Sequence, residues 1–411
     1  MSLFGLIDVN IFFVSCERIF RPDLANKPVG VLSNNDGCFV ARSNEIKALG
    51  VPMGAPLFKY KKLMEDHKVT IFSSNFALYG DISSRFMSFV ESLVPRLEVY
   101  SIDEAFIDFT GISGVQDLAL SIRQQVLKSL GLPTCIGVSK TKTLAKVANL
   151  MAKRKPYYNG VCVLENDEDI EEALKWIEIG DLWGVGRRLS PRLQQHGIRT
   201  GYDLKQADPR WMRKNFTVIG ERLVNELRGI PCLELEEEPQ ARKSIQVSRT
   251  FSEYITEFES LREHVASYAT RLGSKMRRYN LKTANLLVYI RTNPHNKMHG
   301  FYYESFTIHL PMAVNDDANL IKACGRALEA VYKQGYLYKK AGVVALELMP
   351  EAQEQYSLFA EDKLSNPKTS QASKAIDELN KKYGTGMVHM ASCKQRLSWG
   401  DRKDQKSPAY T

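Results

Sequence analysis

LFGLIDVNIFF (residues 3–13) and LEVYSIDEAFIDF (residues 97–109) decide the reading of this chain. Both are apolar, strand-like runs, yet the first carries Asp8 and the second the pair Asp103 and Glu104. Ionised carboxylates entering or leaving buried strands are costly unless a cation meets them. No sequence neighbour supplies one, and a divalent metal ion is the usual partner. Arg96 to Thr110 reads as strand, tight turn, strand, with Ala105 and Ile107 alternating against Glu104, Phe106 and Asp108. The acidic pair therefore falls at the exposed end of a hairpin. If the strand carrying Asp8 lies beside it, three carboxylates meet at one sheet edge. Such a set suits two metals about 3.5–4 Å apart, which clamp the attacking and leaving oxygens of an in-line phosphoryl displacement. A lone Asp at a strand end is more often a cap or turn residue; the second, paired cluster is what points to nucleotidyl transfer.

A chain of 411 residues is too long for one ordinary core and predicts about two to four domains. Its 44% hydrophobic and 25% charged residues are those of a soluble globular protein. There is no apolar run of the roughly eighteen residues a membrane span requires and no signal-peptide pattern at the N-terminus, so no membrane association and a cytoplasmic location are expected. The seven cysteines contain no C-x-x-C pair and read as reduced, buried thiols. His295 and His299 stand in a turn with no third ligand nearby.

The net charge of +9 is modest, but its distribution is uneven. Leu118 to Leu164 holds no Asp or Glu, while Arg123, Lys128, Lys140, Lys142, Lys146, Lys153, Arg154 and Lys155 are present. His264 to Tyr303 is likewise free of acid and carries Arg271, Lys275, Arg277, Arg278, Lys282, Arg291 and Lys297. Single-sign stretches of this length point to a polyanion, most simply a nucleic-acid backbone.

Along the chain, a strand over Leu3–Val9 precedes a short helix at Ser15–Arg21 and a hairpin turning at Asn34 to Gly37, whose last two residues suit a tight turn. Ser43 to Leu49 reads as a helix stopped by Gly50, and a longer helix runs from Tyr79 to Leu93. Val115, Leu118, Ile122, Val126 and Leu130 make a one-faced helix closed by Gly131. The TCIGVS strand and a helix through Leu144, Val147 and Met151 complete a mixed α/β sheet with helices expected on one side. An acidic stretch, Glu165 to Glu172, opens a small helical region, and a second α/β unit follows from about Arg242 to Met349. The last sixty or so residues read as a polar tail, partly helical at Ser373 to Tyr383.

Four motifs now stand out: DVNIFFVSCE at Asp8–Glu17, LSNNDGC at Leu32–Cys38, YSIDEAF at Tyr100–Phe106 and SKTKTLAK at Ser139–Lys146. They resemble the Y-family, or translesion, DNA polymerases, and within them the UmuC type that forms the catalytic subunit of bacterial DNA polymerase V. The resemblance implies a right-hand α/β (α+β) architecture. It places a palm at 1–31 and 79–165, fingers at 32–78, a helical thumb at 166–237, a linker at 238–241, a little finger at 242–350 and a tail at 351–411. The implied activity is error-prone, template-directed DNA synthesis across lesions in the SOS response, with two Mg²⁺ ions as cofactor. Asp8 and Asp103 are then the bridging metal ligands and Glu104 completes the site, with the backbone carbonyl of Ile7 or Val9 filling a remaining position.

By the same resemblance Phe13, next to Phe12, is the steric gate that leaves no room for a ribose 2′-hydroxyl. Lys47 and Lys153 fall at positions that contact the triphosphate. Many relatives have Tyr and Arg where this chain has Asn44 and Lys47, so a bidentate fork is replaced by a point charge, and Arg42 is expected to contribute. Gly184 and Gly186, followed by Arg187 and Arg188, form the hairpin of a helix-hairpin-helix that lets backbone N–H groups approach a DNA phosphate. The little-finger cations would hold the duplex. Gln355, Leu358 and Phe359 match the peptide that docks on sliding clamps. The implied partners are primer-template DNA, dNTPs, the clamp, a processed UmuD dimer and RecA, on the bacterial nucleoid when active. The alternatives are another palm-type nucleotidyl transferase, such as a cyclase, and a noncatalytic DNA-binding scaffold.

Overall fold

The strand around Asp8 lies in the middle of a five-stranded sheet, between the acidic hairpin on one side and the TCIGVS strand on the other. The computed structural model describes residues 2–236, 241–296, 300–353, 367–384, 386–393 and 404–411. They form two units: Met1–Pro239 together with Lys403–Thr411, and Gln240–Arg402.

In the first unit the chain runs β1 (Phe4–Val9), α1 (Phe12–Phe20), β2 (Val29–Leu32), β3 (Phe39–Arg42), α2 (Asn44–Ala48), α3 (Leu57–Asp66), β4 (Thr70–Ser73) and α4 (Phe76–Glu91). It continues with β5 (Leu97–Val99), β6 (Glu104–Asp108), α5 (Val115–Leu130), β7 (Thr134–Ser139), α6 (Lys142–Arg154) and β8 (Val161–Leu164). Four helices follow: α7 (Asp167–Trp176), α8 (Leu189–Gln195), α9 (Gly201–Gln206) and α10 (Pro209–Leu227).

The main sheet has the order β5-β6-β1-β7-β8, antiparallel except for the parallel pair β7–β8. Every residue of β1 is buried, so both its faces need cover. Ile7 and Val9 pack with Tyr79, Ile82 and Phe86 of α4 and with Ala119, Ile122 and Val126 of α5. Phe4 and Leu6 pack with Phe106 and with Ala145 of α6 on the opposite face. The helices therefore cover both faces, not one as the sequence predicts. The reason is that β1 is apolar at odd and even positions alike, the mark of a doubly covered strand.

A smaller sheet, β3-β2-β4, carries α2 and α3. Its loop departs from the expected tight turn: the residues in the left-handed region are Asn35 and Asp36 (φ 63° and 48°), while Gly37 is at φ −80°. Asparagine and aspartate tolerate that region better than other non-glycine residues, so the turn is displaced by one residue. The acidic stretch at 165–172 enters α7, which shares a core with α6 through Leu144, Val147, Ile170 and Leu174.

In the second unit β9 (Ser244–Ile255), β10 (Leu281–Thr292), β11 (Tyr303–Val314) and β12 (Tyr338–Leu346) form a sheet of order β11-β10-β12-β9, with β13 (Met349–Pro350) on β10. Helices α11 (Phe258–Arg278) and α12 (Asp317–Val331) pack through Leu261, Tyr268, Leu272, Leu320 and Leu328 onto the sheet. The tail is more ordered than its composition implies. Helix α13 (Pro367–Tyr383) docks on this unit through Asp377, which accepts from Arg277 Nε at 2.6 Å, and through Ser373 Oγ, which accepts from the Asp317 backbone at 3.0 Å. Among the described residues, no helix is long and apolar enough to cross a membrane.

Helix α6 is fastened to the sheet by a polar stripe at spacings of four, three and four, one face of a helix. Asn149 donates to the carbonyls of Leu6 and Cys135 at 3.1 and 2.9 Å, closing the two strands under it. Gly137 of β7 permits this approach, since a Cβ there would meet the Asn149 amide and, at 2.5 Å, the Ala145 carbonyl. At the N-terminal end of the stripe Lys142 pairs with Glu98 of β5, with side chains 5% and 10% exposed. Removing one member of a buried pair strands the other charge, so Lys142→Met is expected to lower the unfolding free energy by about 3 kcal/mol or more. Urea denaturation would register this as a lower midpoint, and an unchanged midpoint would show that the pair contributes nothing.

Candidate active site

The β1–β6 register sets Asp8 directly opposite Glu104. One residue on, the Val9 N–H donates to the Asp103 carbonyl at 2.9 Å, so the hairpin turn is held against the end of β1. Asp8 is 7% exposed and Glu104 half-buried. Burial pushes the Asp8 carboxyl up to about 7; the Lys153 ammonium opposes this, and the hydrogen-bonded Glu104 carboxyl adds to it. Cations of α6 answer both acids. Lys153 Nζ lies 2.5 Å from Asp8 Oδ1, and Lys146 Nζ 3.2 Å from Glu104 Oε2. Lys146 also sits over the rings of Tyr100 and Trp183, 4.3 and 5.2 Å from their centroids.

The third carboxylate is close in the chain but engaged elsewhere: Asp103 Oδ1 accepts from Ser101 Oγ at 2.7 Å. Among the described residues, no three His, Cys, Asp or Glu side chains are gathered as a metal-holding group. The expected convergence is thus complete for Asp8 and Glu104 and not for the Asp103 side chain. The donor chemistry nevertheless fits a hard divalent cation. It consists of carboxylate oxygens at a partly open strand end, and ammonium groups already stand against two of them.

The two neighbouring phenylalanines separate. Phe12 is 3% exposed and its ring belongs to the core. Phe13 is only partly buried and stacks on Tyr79, with centroids 4.6 Å apart and planes at 16°, while Phe76 meets it edge-on at 5.9 Å. Tyr79 Oη donates to Glu17 Oε1 at 2.7 Å. Sequence reasoning gave Tyr79 only as a helix start and Glu17 only as part of a motif. The one available signal was that Phe13 and Glu17 are four apart and so share a helix face.

Lys47 Nζ donates to Asn44 Oδ1 at 3.2 Å. Burial lowers the Lys47 pKa, and the charges of Arg42 and Lys153 lower it further, so three cations lie in one neighbourhood. The Arg42 guanidinium donates to the Val51 carbonyl, while its Nε has no hydrogen-bond partner among the described residues.

The basic spans need correction. In the first, Lys142 and Lys146 face inward, Lys140 pairs with Asp167 at 2.6 Å and Arg154 with Asp181 at 2.8 Å. In the second, Arg277 is 7% exposed and held by Asp317 at 2.9 Å and Asp377 at 2.6 Å, and Lys282 is 9% exposed. Apart from Lys282, these cations find acids contributed by other elements, which a count along the sequence does not see. Lys275 and Arg278 are exposed, and Arg271 and Arg291 are half-buried. Gly184, Gly186, Arg187 and Arg188 are exposed at the turn before α8, with Gly184 at φ 88°. Gln355, Leu358 and Phe359 lie outside the described residues.

Comparison with known proteins places this geometry. Residues 7–150 match the impB/mucB/samB family, residues 242–358 match the C-terminal domain of that family, and residues 371–411 match a domain of unknown function. Protein UmuC of Salmonella typhimurium is 40% identical over 413 residues, covering all of this chain and 98% of that protein. Protein ImpB of Salmonella typhimurium is 41% identical over 415 residues, covering all of this chain and 97% of that protein. DNA polymerase IV 1 of Halalkalibacterium halodurans is 28% identical, covering 93% of this chain and 91% of that protein. A solved Y-family DNA polymerase chimera superposes with a TM-score of 0.69 at 19% identity, over 85% of this chain and 99% of its own. With family models and relatives in agreement from end to end, the chain belongs to the impB/mucB/samB family, and its fold is that of the Y-family DNA polymerases.

Proposed function

We propose that the chain is an error-prone translesion DNA polymerase that joins dNTPs to a primer 3′-hydroxyl, with Asp8, Asp103 and Glu104 as its catalytic carboxylates. The likeness to Protein UmuC and to DNA polymerase IV supports the activity. The observation that carries the site is the Asp8–Glu104 pairing across β1 and β6, at a strand end flanked by Lys153 and Lys146. Polymerases of this family are metal-dependent. Two Mg²⁺ ions, held by the three carboxylates and the Val9 carbonyl, would lower the pKa of the primer hydroxyl and offset charge on the α-phosphate.

The remaining roles belong to the chain itself. Lys47, Arg42 and Lys153 bind the triphosphate, and release of Lys153 from Asp8 frees that carboxylate as a ligand. Phe13, braced by Tyr79, closes the space beside the sugar. Residues 1–31 with 79–165 act as palm, 32–78 as fingers, 166–237 as thumb and 242–350 as little finger. The hairpin at Gly184 to Arg188 and the exposed Lys275 and Arg278 hold DNA through its backbone, which makes binding salt-dependent and sequence-independent. A processed UmuD dimer and RecA are the partners that the likeness to Protein UmuC favours.

Asp103→Ala and Glu104→Ala are each expected to abolish primer extension with Mg²⁺ on a damaged template while DNA affinity changes little; normal extension by either protein would remove the assignment. Phe13→Ala should raise ribonucleotide incorporation, by about tenfold or more if the ring excludes the 2′-hydroxyl sterically, and an unchanged ribo/deoxyribo ratio refutes the gate. The Gln355, Leu358 and Phe359 peptide docks on a sliding clamp: Leu358→Ala with Phe359→Ala should lose clamp binding and keep activity on short primers, an idea that equal clamp affinity would end.

A further inference from the structure

After the second unit, the chain returns to the first. Residues 404–411 lie on it, and their contacts form a connected path. The outer edge of β4 is open in the sheet order β3-β2-β4, and the returning peptide pairs with it. Lys406 bridges Ser73 in parallel, the Ser73 N–H donates to the Gln405 carbonyl at 3.0 Å, and the Gln405 N–H donates to Ser73 Oγ at 3.0 Å. Next, Ser407 is 6% exposed. Its Oγ accepts from Asn75 Nδ2 at 2.9 Å and donates to Glu17 Oε1 at 3.1 Å. Asn75 is the N-cap of α4, the helix that carries Phe76 and Tyr79. Finally Tyr410 stacks on Phe20, with centroids 4.4 Å apart and planes at 4°.

Phe13, Glu17 and Phe20 are spaced four and three along α1, one face of that helix. Tyr79 covers the first, Ser407 the second and Tyr410 the third. Glu17 is fully buried, and its Oε2 has no hydrogen-bond partner among the described residues. The hydroxyls of Tyr79 and Ser407 both donate to Oε1, which makes Glu17 the joint between the peptide and the aromatic stack.

We infer that the peptide 404–411 is a positioning element of the nucleotide site, and that Ser407, acting through Glu17, Asn75 and Tyr79, sets the plane of Phe13 and thereby sugar selectivity. This rests on the reading of Phe13 as the gate. A buried carboxylate deprived of one of two donors is costly, and the least-resisted response is a shift of Glu17 and of the tyrosine bonded to it. Ser407 touches no substrate; its effect is on where the ring stands.

The test is primer extension by the full chain on undamaged primer-template DNA with Mg²⁺, comparing kcat/KM for a deoxyribonucleotide and its ribonucleotide. Ser407→Ala is expected to lower the discrimination about fivefold, the equivalent of one ordinary hydrogen bond, chiefly by lowering KM for the ribonucleotide. A chain ending at residue 403 should lose at least as much, and Ser407→Thr, which keeps the hydroxyl, should stay closer to the parent than Ser407→Ala. Discrimination unchanged in Ser407→Ala, or activity falling in equal proportion for both sugars, overturns the inference, as does Ser407→Thr behaving like Ser407→Ala. If the shortened chain fails to fold in a thermal melt, Ser407→Ala alone decides. Phe13→Ala run in parallel separates the two readings: a changed ratio there with unaffected Ser407→Ala sinks only this inference, while an unchanged ratio in Phe13→Ala sinks both.

Discussion

Acidic side chains can stand at the end of a buried sheet only if positive charge stands against them, and in this chain one helix supplies it. Helix α6 lies along the β5, β6 and β1 edge so that Lys142 meets Glu98, Lys146 meets Glu104 and Lys153 meets Asp8. The lysines grade in exposure, although the acid that faces the last of them, Asp8, is as buried as the acid that faces the first. The lysine side chains go from 5% through 14% to 31% exposed, from a structural pair to one at the mouth of the site. The buried pair is committed to the fold, because separating it would strand charge in a poorly solvated place. The most exposed lysine, Lys153, is the one best placed to leave its carboxylate, as the proposed sharing of that lysine between Asp8 and a triphosphate requires. The Asn149 bonds and the close approach at Gly137 keep that series in register with the strands.

How much of this was legible in the sequence depended on how local the cause was. Helix α5 has the bounds its periodicity gives, Val115–Leu130, because its face pattern and the left-handed Gly131 at its end are encoded within its own residues. The acidic hairpin was legible for the same reason. Its position beside β1 was only a conditional expectation, and the register that puts Asp8 opposite Glu104 turned it into geometry. What escaped was non-local. Two acid-free spans read as nucleic-acid surface, yet Lys142, Lys146 and Arg277 are turned onto carboxylates from strands and helices far along the chain. A charge pattern reports which cations lack local partners, not which lack any.

The aromatic pair Phe12 and Phe13 illustrates the same limit at smaller scale. Adjacent residues on a helix point about 100° apart, so one ring enters the core and the other faces Tyr79. Periodicity could assign one of the two to each side but not say which, since that depends on where α4 lies. The C-terminal segment was missed more completely. Its composition is polar, and the contacts that order it are an edge strand, a helix cap and a buried carboxylate, none of which has a signature in the tail itself.

That segment also bears on the order in which the molecule can be made. Ser407 and Glu17 are 390 residues apart in the chain. Everything in the second unit has therefore been synthesised before the open edge of β4 and the buried Glu17 acquire their last partners. The first unit is discontinuous in sequence, and the corner around Glu17 and Phe20 is finished by residues translated after the second unit. A nascent or nicked chain can hold an intact main sheet and carboxylate edge while this corner is still incomplete. Closing so long a loop is entropically slow compared with forming local helices and hairpins, which puts completion of the corner among the late events of folding.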